Sequence, residues 1–570
     1  MNKLDDITKK NTKSKNFLEK HLNTIIWLFL LIVIVGIITY IRVLIQIEIG
    51  LVSDSVDFFS NAFVFAGQGF GYSDLIRPPL FSFIASLFVR MGYTSINTIF
   101  AVDGSLFIFG VIGLFMLLKI RFNDLQSFLG ALLYATFPIV LPVLGVGFSD
   151  LSSVSFSIWA FYFLILALKN DSRFFYLAFP FAMFAFLARY NSALLIFPIS
   201  LYILINRDKV NIKNFIIGSG ISLLAIVPIV IFYYEKFGNI IYPFINFEST
   251  SSEGSASAVS VAYNPNIFFF LQNFPALVGA QGITILLIVL AAFIYLFSKF
   301  ILKNQGYKSL LKIFNLKNRK TEVKLVFLVV IGIIFLGSFG QTSYMLSELL
   351  FFVIAYLFYD LSKDLKIKNM DLNLLFFAWV MAFFIFSSVF VIKDYRYFVL
   401  MAPPVSYFML LGLSEISNKI KFKIKNRNIT FTIIAIILAS LILFSTAYQL
   451  PHIYKINSNI KADNQDMESA SQWIMTNIPD YKNQSIYADL WPNLSWYLKM
   501  NVEPVFGFKD NKVYRGGLGD DNFTQQDSNA YNSYLVGNNA EYYLSVHQGL
   551  NLTSYKPIKQ FGNLIIYQRI

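Results

Sequence analysis

The chain has 570 residues, of which 56% are apolar and only 14% are charged, and its mean hydropathy is +0.59. This composition excludes a soluble globular protein. The net charge of +13 does not indicate nucleic-acid binding, because most Lys and Arg residues stand in short gaps between apolar runs and act there as topology signals. The absence of cysteine excludes disulfides and thiolate metal sites.

Apolar runs long enough for a membrane-spanning helix, which needs about 20 residues, recur along the chain. We predict about thirteen spans. The first is a retained helix rather than a signal peptide, because its apolar core is too long and no cleavage pattern follows it. Residues 174–206 are interpreted as two spans, and one tilted helix is the alternative. The predicted spans are 24–47, 98–118, 127–148, 151–168, 174–189, 191–206, 214–234, 276–298, 324–339, 345–361, 372–392, 398–413 and 429–448.

The charge pattern predicts the orientation of these spans. Short loops rich in Lys and Arg stay in the cytoplasm. With a cytoplasmic N-terminus, thirteen spans place every basic loop inside, and the outer segments are 50–97, 235–273 and all residues after 451. The sequence therefore predicts a multi-pass protein of the cell membrane.

The hydropathy divides the chain into two parts. Residues 1–450 hold the apolar runs and form the predicted transmembrane domain, with the first outer loop at 50–97. In residues 451–570, short strand-like pieces alternate with a helical stretch around Met467–Thr476. The predicted fold class is thus a polytopic α-helical membrane protein with a small extracytoplasmic α/β domain at its C-terminus.

The first outer loop combines a carboxylate and a guanidinium near the membrane surface. Asp54 directly follows the first span, and Arg77 precedes Pro78-Pro79. Between them lies an amphipathic stretch too short to cross the membrane, so both charges are held near the interface. The alternative for Asp54 is an N-cap of the helix that follows it, a position that Asp favours.

Further polar residues stand at the outer ends of other spans. Asp150 lies between the third and fourth spans and would also suit an N-cap. Asp103 lies inside the second span, where it is expected to face a cavity or another helix rather than lipid. The segment from Lys393 to Tyr397 precedes the twelfth span; its Arg396 is either a phosphate ligand or part of an interfacial anchor.

Several short motifs follow one another within residues 24–415. Each motif is weakly specific alone, so only their order along the chain and their placement relative to the spans are informative. They are Asp54 with Phe58, Ala62 and Gly69-Phe70; Arg77-Pro78-Pro79-Leu80; Ser149-Asp150; Leu187-Ala188-Arg189-Tyr190; Phe237-Gly238-Asn239; and Arg396-Tyr397 with Pro403.

This series resembles the GT-C membrane glycosyltransferases of the protein mannosyltransferase and aminoarabinose transferase type, glycosyltransferase family 39. The resemblance implies inverting transfer of mannose or another hexose from a polyprenyl or dolichyl phosphate monosaccharide to a hydroxyl group. The acceptor would be a protein, lipid or glycan at the outer membrane face. The donor's lipid tail would lie in a groove between spans, reached sideways from the membrane lipid. Asp54 would be the general base, and Asp150 would support it or contact the acceptor. The implied substrate-binding residues are Arg77, Arg396, Lys393, Asp103 and Arg189.

Departures from the family pattern affect the cofactor prediction. Ser55 replaces a Glu that often follows the first Asp, and Ile76 replaces a second acidic residue, so a divalent metal has no support and no cofactor is predicted. The Trp-Trp-Asp-Tyr-Gly motif of oligosaccharyltransferases is missing.

Two alternative functions stay open. A transporter or flippase is disfavoured because we find no internal repeat, and a polymerase or ligase of lipid-linked glycans is the other.

Overall fold

The computed structural model describes residues 2–246, 264–302, 319–363, 369–419, 422–424, 427–514 and 522–570. Residues 247–263 of the predicted outer segment 235–273 lie outside these ranges, as does most of the basic loop after the eighth predicted span. Helices dominate the described residues. They are α1 (Asn2–Ile49), α2 (Ser53–Phe65), α3 (Pro79–Arg90), α4 (Asn97–Leu118), α5 (Asp124–Ala135), α6 (Val140–Val143), α7 (Asp150–Lys169), α8 (Phe175–Ala188), α9 (Ile196–Ile205), α10 (Ile212–Phe237), α11 (Phe269–Gln272), α12 (Phe274–Leu302), α13 (Arg319–Ser338), α14 (Tyr344–Ser362), α15 (Met370–Val389), α16 (Ala402–Lys419), α17 (Thr430–Ile456), α18 (Ser458–Asn477), α19 (Trp491–Leu498) and α20 (Gln525–Gly537).

Nine helices in the described ranges are long and apolar enough to cross a bilayer. They are α1 from His21 onward, α4, α7, α10, α12 to Ala292, α13 from Thr321, α14, α15 and α17. Shorter apolar helices cover Pro79–Arg90, Ser172–Ala188 and Tyr190–Ile205. The chain is therefore a multi-pass membrane protein, while the count of thirteen spans stays a prediction.

The segment 174–206 consists of two helices that run in opposite directions. Near the start of α7, the Ser153 hydroxyl lies 2.9 Å from the Ala185 carbonyl of α8 and 2.5 Å from the Ser192 hydroxyl. At the far end, the Tyr202 hydroxyl of α9 contacts Asp371, which also pairs with Lys169 at 3.0 Å. Helix α8 thus runs toward the Asp150 end of α7, and α9 runs back toward the Lys169 end. The alternative of one tilted helix is wrong.

One predicted span is broken in its middle. The run 127–148 forms α5 and the short α6, and the chain between them contains Pro138, which lacks an N–H group for helix continuation. A second break faces it at Gly279 in α12, where φ is +70° and an added Cβ would lie 2.5 Å from Pro138. The Ile139 N–H donates to Leu277 O across the two breaks, at 3.4 Å. The absence of a side chain at Gly279 therefore allows the two interrupted helices to pack closely where each is broken.

The C-terminal part forms a small α/β unit. Strands β1 (Lys423–Ile424) and β2 (Arg427–Asn428) make a hairpin before α17. The strands beyond α18 are β3 (Ile486–Ala488), β4 (Glu503–Pro504), β5 (Gly507–Lys509), β6 (Lys512–Tyr514), β7 (Tyr542–Ser545), β8 (Tyr555–Phe561) and β9 (Leu564–Arg569). Five of them form a sheet of order β4-β3-β7-β9-β8, in which β4, β3 and β7 are parallel and β9 is antiparallel to both neighbours, while β5 and β6 form a separate hairpin. Apolar side chains of α18 and α19 pack on one side of the five-stranded sheet and those of α20 on the other.

Candidate active site

Asp54 lies in the first turn of α2 but does not cap this helix. The N-cap is Val52, whose N–H donates to the Ser55 hydroxyl at 3.0 Å while that hydroxyl donates to the Val52 carbonyl at 2.7 Å. The Asp54 side chain instead points to two arginines, which are described below. Its alternative interpretation as an N-cap is therefore wrong.

Arg77 binds three carboxylates from the first outer loop. Its Nη2 lies 3.2 Å from Asp54 Oδ1 and 2.5 Å from Asp57 Oδ2, and its Nε lies 2.8 Å from Asp74 Oδ2. Asp54 and Asp57 are three residues apart and so share one face of α2. The Tyr72 hydroxyl donates to Asp57. The guanidinium of Arg77 thus holds the loop from Tyr72 to Arg77 against α2.

Arg396 approaches the other oxygen of Asp54. Its Nη1 lies 2.5 Å from Asp54 Oδ2, its Nε lies 2.8 Å from Asp394 Oδ2, and its guanidinium stacks over the Phe148 ring at 5.2 Å. Asp394 also caps the 3-10 helix Tyr395–Leu400 by accepting the Arg396 N–H at 2.9 Å. Asp54 is therefore clamped between two guanidinium groups that stand 319 residues apart in sequence and come from opposite sides of the site.

These ion pairs control the protonation of the first loop. Burial alone would raise the pKa of Asp54, but Arg77 and Arg396 outweigh burial and hold that pKa below the usual carboxyl range. Burial raises the pKa of Asp57, which Arg77 opposes and the nearby Asp74 reinforces. Asp54 is consequently ionised at neutral pH and is stabilised in that form by its two partners.

A second ion pair lies beside the first. Asp150 opens α7 and pairs with Arg189 Nη1 at 2.5 Å, and the Arg189 guanidinium stacks over the Tyr397 ring at 5.3 Å. Arg189 leaves α8 in an extended conformation, at the break between α8 and α9. Its positive charge also contributes to the lowered pKa of Asp54. The break in the segment 174–206 thus brings Arg189 to the site.

Two of the residues predicted to bind substrate, Asp103 and Lys393, are bonded to backbone groups. Asp103 is fully buried in α4 and accepts the Gly147 N–H at 3.1 Å, which orients the turn that leads to Phe148 and Asp150. The Lys393 ammonium is buried and donates to the carbonyls of Ser387 and Ser388, each at 2.7 Å, and to that of Phe390. Three carbonyls use all three N–H donors of a lysine. Lys393 therefore closes the C-terminal end of α15 and has no donor left for a phosphate.

An open cavity of about 620 Å³ adjoins Asp54 and Arg396. The two helix breaks described above form much of its wall, because Pro138, Ile139 and Leu277 line it. Its charged groups are Asp54, Asp394 and Arg396, and Arg77 does not line it. An apolar-walled cavity with one carboxylate-bound guanidinium at its edge suits a ligand with an apolar body and an anionic group. The other lining residues are Val52, Pro142, Val143, Phe148, Ala276 and Tyr395.

The arrangement does not resemble a metal centre. Among the described residues, no group of three or more His, Asp or Glu side chains is placed to hold a metal ion. The carboxylates of the first loop share arginine as their cation, and Ser55 uses its hydroxyl for the helix cap. The residues present therefore do not fit a divalent metal in this conformation.

Sequence reasoning did not select four residues of the site. These are Asp57, Tyr72, Asp74 and Asp394. Asp54 and Asp57 are spaced to share one face of a helix, and Asp74 and Arg77 are the first and last residues of a four-residue turn, closed by the Arg77 N–H to Asp74 O at 3.2 Å. That spacing could have indicated the first-loop cluster. The contact between Asp394 and Arg396 could not be read in this way, because it depends on a 3-10 turn.

Comparisons with known proteins agree with the fold. The family model of dolichyl-phosphate-mannose-protein mannosyltransferase matches residues 76–232. The structure of ArnT from Cupriavidus metallidurans bound to undecaprenyl phosphate superposes with a TM-score of 0.55 at 11% identity, covering 95% of this chain and 98% of that chain. An oligosaccharyltransferase from Archaeoglobus fulgidus, in a complex with Zn and sulfate, gives a TM-score of 0.50 at 14% identity, covering 89% and 67%. No curated protein matches the sequence.

The fold is that of the GT-C membrane glycosyltransferases, with the transmembrane bundle and the C-terminal sheet in one chain. The family model covers residues within the membrane part only, and its match agrees with this fold. Together they indicate that the chain is a membrane glycosyltransferase.

Proposed function

We propose that this protein transfers a sugar from a polyprenyl phosphate monosaccharide to a hydroxyl group at the outer face of the membrane. One observation carries the proposal. The Asp54 carboxylate is held between Arg77 and Arg396 at the edge of an apolar-walled cavity, and Arg396 faces that cavity. A base and a phosphate ligand are thus adjacent where a lipid phosphate would fit. The ArnT structure that shares the fold contains undecaprenyl phosphate, which supports this donor class.

The proposed reaction is a single displacement at the anomeric carbon of the sugar. The acceptor oxygen forms a bond to C1, the bond between C1 and the phosphate oxygen breaks, and the acceptor proton passes to Asp54. Polyprenyl phosphate leaves with one more negative charge than it had in the donor. Arg396 stabilises that charge, because its fork of N–H donors matches phosphate geometry. Attack opposite the leaving group inverts the anomeric configuration.

Binding of the donor would also activate the base. Without donor, Arg396 pairs with Asp54, and this ion pair lowers the carboxylate's affinity for a proton. A donor phosphate in the cavity competes for the same guanidinium. When Arg396 turns to the phosphate, Asp54 loses one of its two cations and becomes a stronger base. Arg77 stays on Asp54, Asp57 and Asp74, and so keeps α2 in place.

The remaining predicted site residues take supporting roles in this proposal. Asp150 and Arg189 form the neighbouring ion pair and lie where an acceptor could reach Asp54. Asp103 orients the turn before Phe148, on which the Arg396 guanidinium stacks. Lys393 is withdrawn from the phosphate-binding set, because its ammonium is engaged by backbone carbonyls.

Two measurements on protein purified into lipid nanodiscs test the proposal. The first is thermal stability with added polyprenyl monophosphate, with polyprenol and inorganic phosphate as controls. We expect the monophosphate alone to raise the melting temperature, since a ligand that binds only the folded state stabilises it. The second is transfer of radiolabelled sugar from a panel of polyprenyl phosphate hexoses to membrane acceptors.

The alternatives give different results in the same preparations. A flippase would move lipid between leaflets in vesicles without releasing polyprenyl phosphate, and Asp54→Asn would leave that movement intact. A polymerase or ligase would transfer sugar only when a lipid-linked glycan is added as acceptor. If no donor of the panel is used and the monophosphate does not stabilise the protein, the proposed function is wrong.

A further inference from the structure

The turn between α1 and α2 is held by side-chain amides, two of them from the C-terminal α/β unit. The Asn464 side-chain amide donates to Ile49 O at 3.1 Å and to Leu51 O at 2.9 Å. The Gln46 amide donates to Gly50 O at 2.7 Å, and the Asn493 amide lies 3.4 Å from Leu51 O. Three successive carbonyls of one turn therefore each have a side-chain partner.

The contact with Asn464 is close and buried. Asn464 is 5% exposed, and Ile49 and Leu51 are almost fully covered. Gly50 has a φ of +91°, and a Cβ at this position would lie 2.8 Å from the Asn464 amide nitrogen. A side chain here would be strained by the backbone and would displace the amide. Buried carbonyls need partners, so the loss of Asn464 would leave Ile49 O without its side-chain donor and Leu51 O with only the longer contact to Asn493.

The turn connects directly to the candidate base. Val52, the N-cap of α2, follows Leu51, and Asp54 lies in the first turn after it. The direction in which α2 starts therefore depends on how residues 49–51 are held. Phe59 and Phe63, further along α2, also pack against Trp496 of α19, with ring centroids 5.0 and 5.5 Å apart.

The same network reaches the cavity wall on its other side. Arg42 Nη2 donates to Gln46 Oε1 at 2.9 Å and to Pro142 O at 3.0 Å, and Arg42 Nε donates to Leu141 O at 3.0 Å. Pro142 lines the cavity beside Asp54. Hydrogen bonds to three adjacent carbonyls, at residues 49 to 51, thus link the C-terminal unit, the turn before α2 and the wall of the cavity.

We propose that Asn464 is a positioning residue, through which the C-terminal α/β unit sets the place of Asp54 relative to Arg396 and the cavity. The inference rests on the proposed function, in which Asp54 is the base. The C-terminal unit then takes part in catalysis without contacting substrate. It does so because the first loop alone does not supply the donors that residues 49–51 require.

The test is Asn464→Asp, which keeps the size of the side chain but puts an oxygen where two carbonyls need a donor. Asn477→Asp is the matched control, since Asn477 is on the same helix α18, is exposed and donates to Trp473 O of its own helix at 2.9 Å. We expect Asn464→Asp to lower kcat about 10- to 100-fold, as misplacement of a catalytic group does, with little change in the KM for donor. The control should match the wild type.

A double-mutant cycle separates positioning from general loss of structure. If Asn464 acts through Asp54, adding Asn464→Asp to Asp54→Asn should not lower the residual transfer further. A further loss of the same size in the double variant would overturn the proposal. Asn493→Ala, which removes the longer contact, serves as the milder variant if Asn464→Asp is too unstable to purify. Asn493→Ala should give a smaller loss of kcat, and in combination with Asp54→Asn it should likewise not lower the residual transfer further.

Hydrogen exchange supplies a readout that needs no enzymatic activity. Amides of residues 52–58 should exchange faster in Asn464→Asp than in the wild type, while those of α7 should not change. Unchanged exchange at the start of α2 would refute the positioning role even if transfer is lost. If exchange is faster but the wild-type protein uses no polyprenyl phosphate donor, the contact between Asn464 and the start of α2 is supported, and the proposed function is refuted.

Discussion

The substitution Asp54→Asn separates the catalytic role of this residue from its structural contacts. The amide keeps the shape of the carboxylate but has no charge and cannot accept the acceptor's proton. Each of its two arginines retains another carboxylate: Arg77 keeps Asp57 and Asp74, and Arg396 keeps Asp394. The guanidinium groups are therefore not left unpaired, and the fold should survive.

The expected magnitudes differ for stability and for rate. Of the two charge-assisted contacts of Asp54, the amide oxygen can keep one as a weaker, uncharged acceptor; the change should cost about 1 to 3 kcal/mol of unfolding free energy. Loss of a general base should lower kcat by about 10² to 10⁴, which is about 2.7 to 5.4 kcal/mol in the barrier. Transfer should therefore be nearly abolished in a protein that is still folded at assay temperature.

The stability difference should also depend on pH in a defined direction. The folded-state pKa of Asp54 is lowered, so its ionised form stabilises the fold above the unfolded carboxyl pKa of about 4. This contribution is lost as the pH falls through the lower, folded-state pKa. Thermal melts of wild type and Asp54→Asn should differ at pH 7 and converge in strong acid.

The assay is transfer of labelled sugar from a polyprenyl phosphate donor by purified protein in nanodiscs, with melting temperature measured on the same samples. Asp124→Asn is the control, because Asp124 pairs with Lys119 at the end of the bundle opposite the site. It should lose little transfer. Near-normal transfer by well-folded Asp54→Asn would refute the assignment of Asp54 as base and leave Asp150 as the candidate.

Three further predictions concern the cations and the topology. Arg396→Ala should abolish stabilisation by polyprenyl monophosphate. Arg77→Ala should chiefly reduce folding stability, by about 3 kcal/mol or more, because three carboxylates lose their common partner. Arg77→Lys should keep part of that stability without reproducing the forked contact. Equal effects of Arg77→Ala and Arg396→Ala on monophosphate binding would contradict this division of roles. Lys393→Met should lower the melting temperature and leave the KM for donor unchanged, and a raised KM would return Lys393 to the substrate-binding set. Protease added to intact cells stripped of their wall should digest residues 451–570, and protection of that part while outer loops are cut would refute the predicted orientation.

Much of the architecture follows from the sequence because hydrophobic length is a local property. A run of about 20 apolar residues can satisfy its backbone in a bilayer only as a helix, so α4, α7 and α15 coincide with predicted spans. The motif series also led to the GT-C fold, since its members occur in order along one chain. Breaks within apolar runs were harder to predict, as the division of 127–148 at Pro138 shows.

The roles of individual side chains depended on contacts between distant segments. Sequence alone identified Asp54, Arg77 and Arg396 as a carboxylate and two guanidiniums near the membrane surface, because residue type and hydropathy are local. It could not assign Lys393 to the carbonyls of α15 or Asp103 to the turn at Gly147, because a side chain's partner depends on how helices pack. Nor could it connect Asn464 with the turn before Asp54, more than 400 residues away in the chain. Tertiary structure made these assignments, since buried polar groups must find partners wherever the fold provides them.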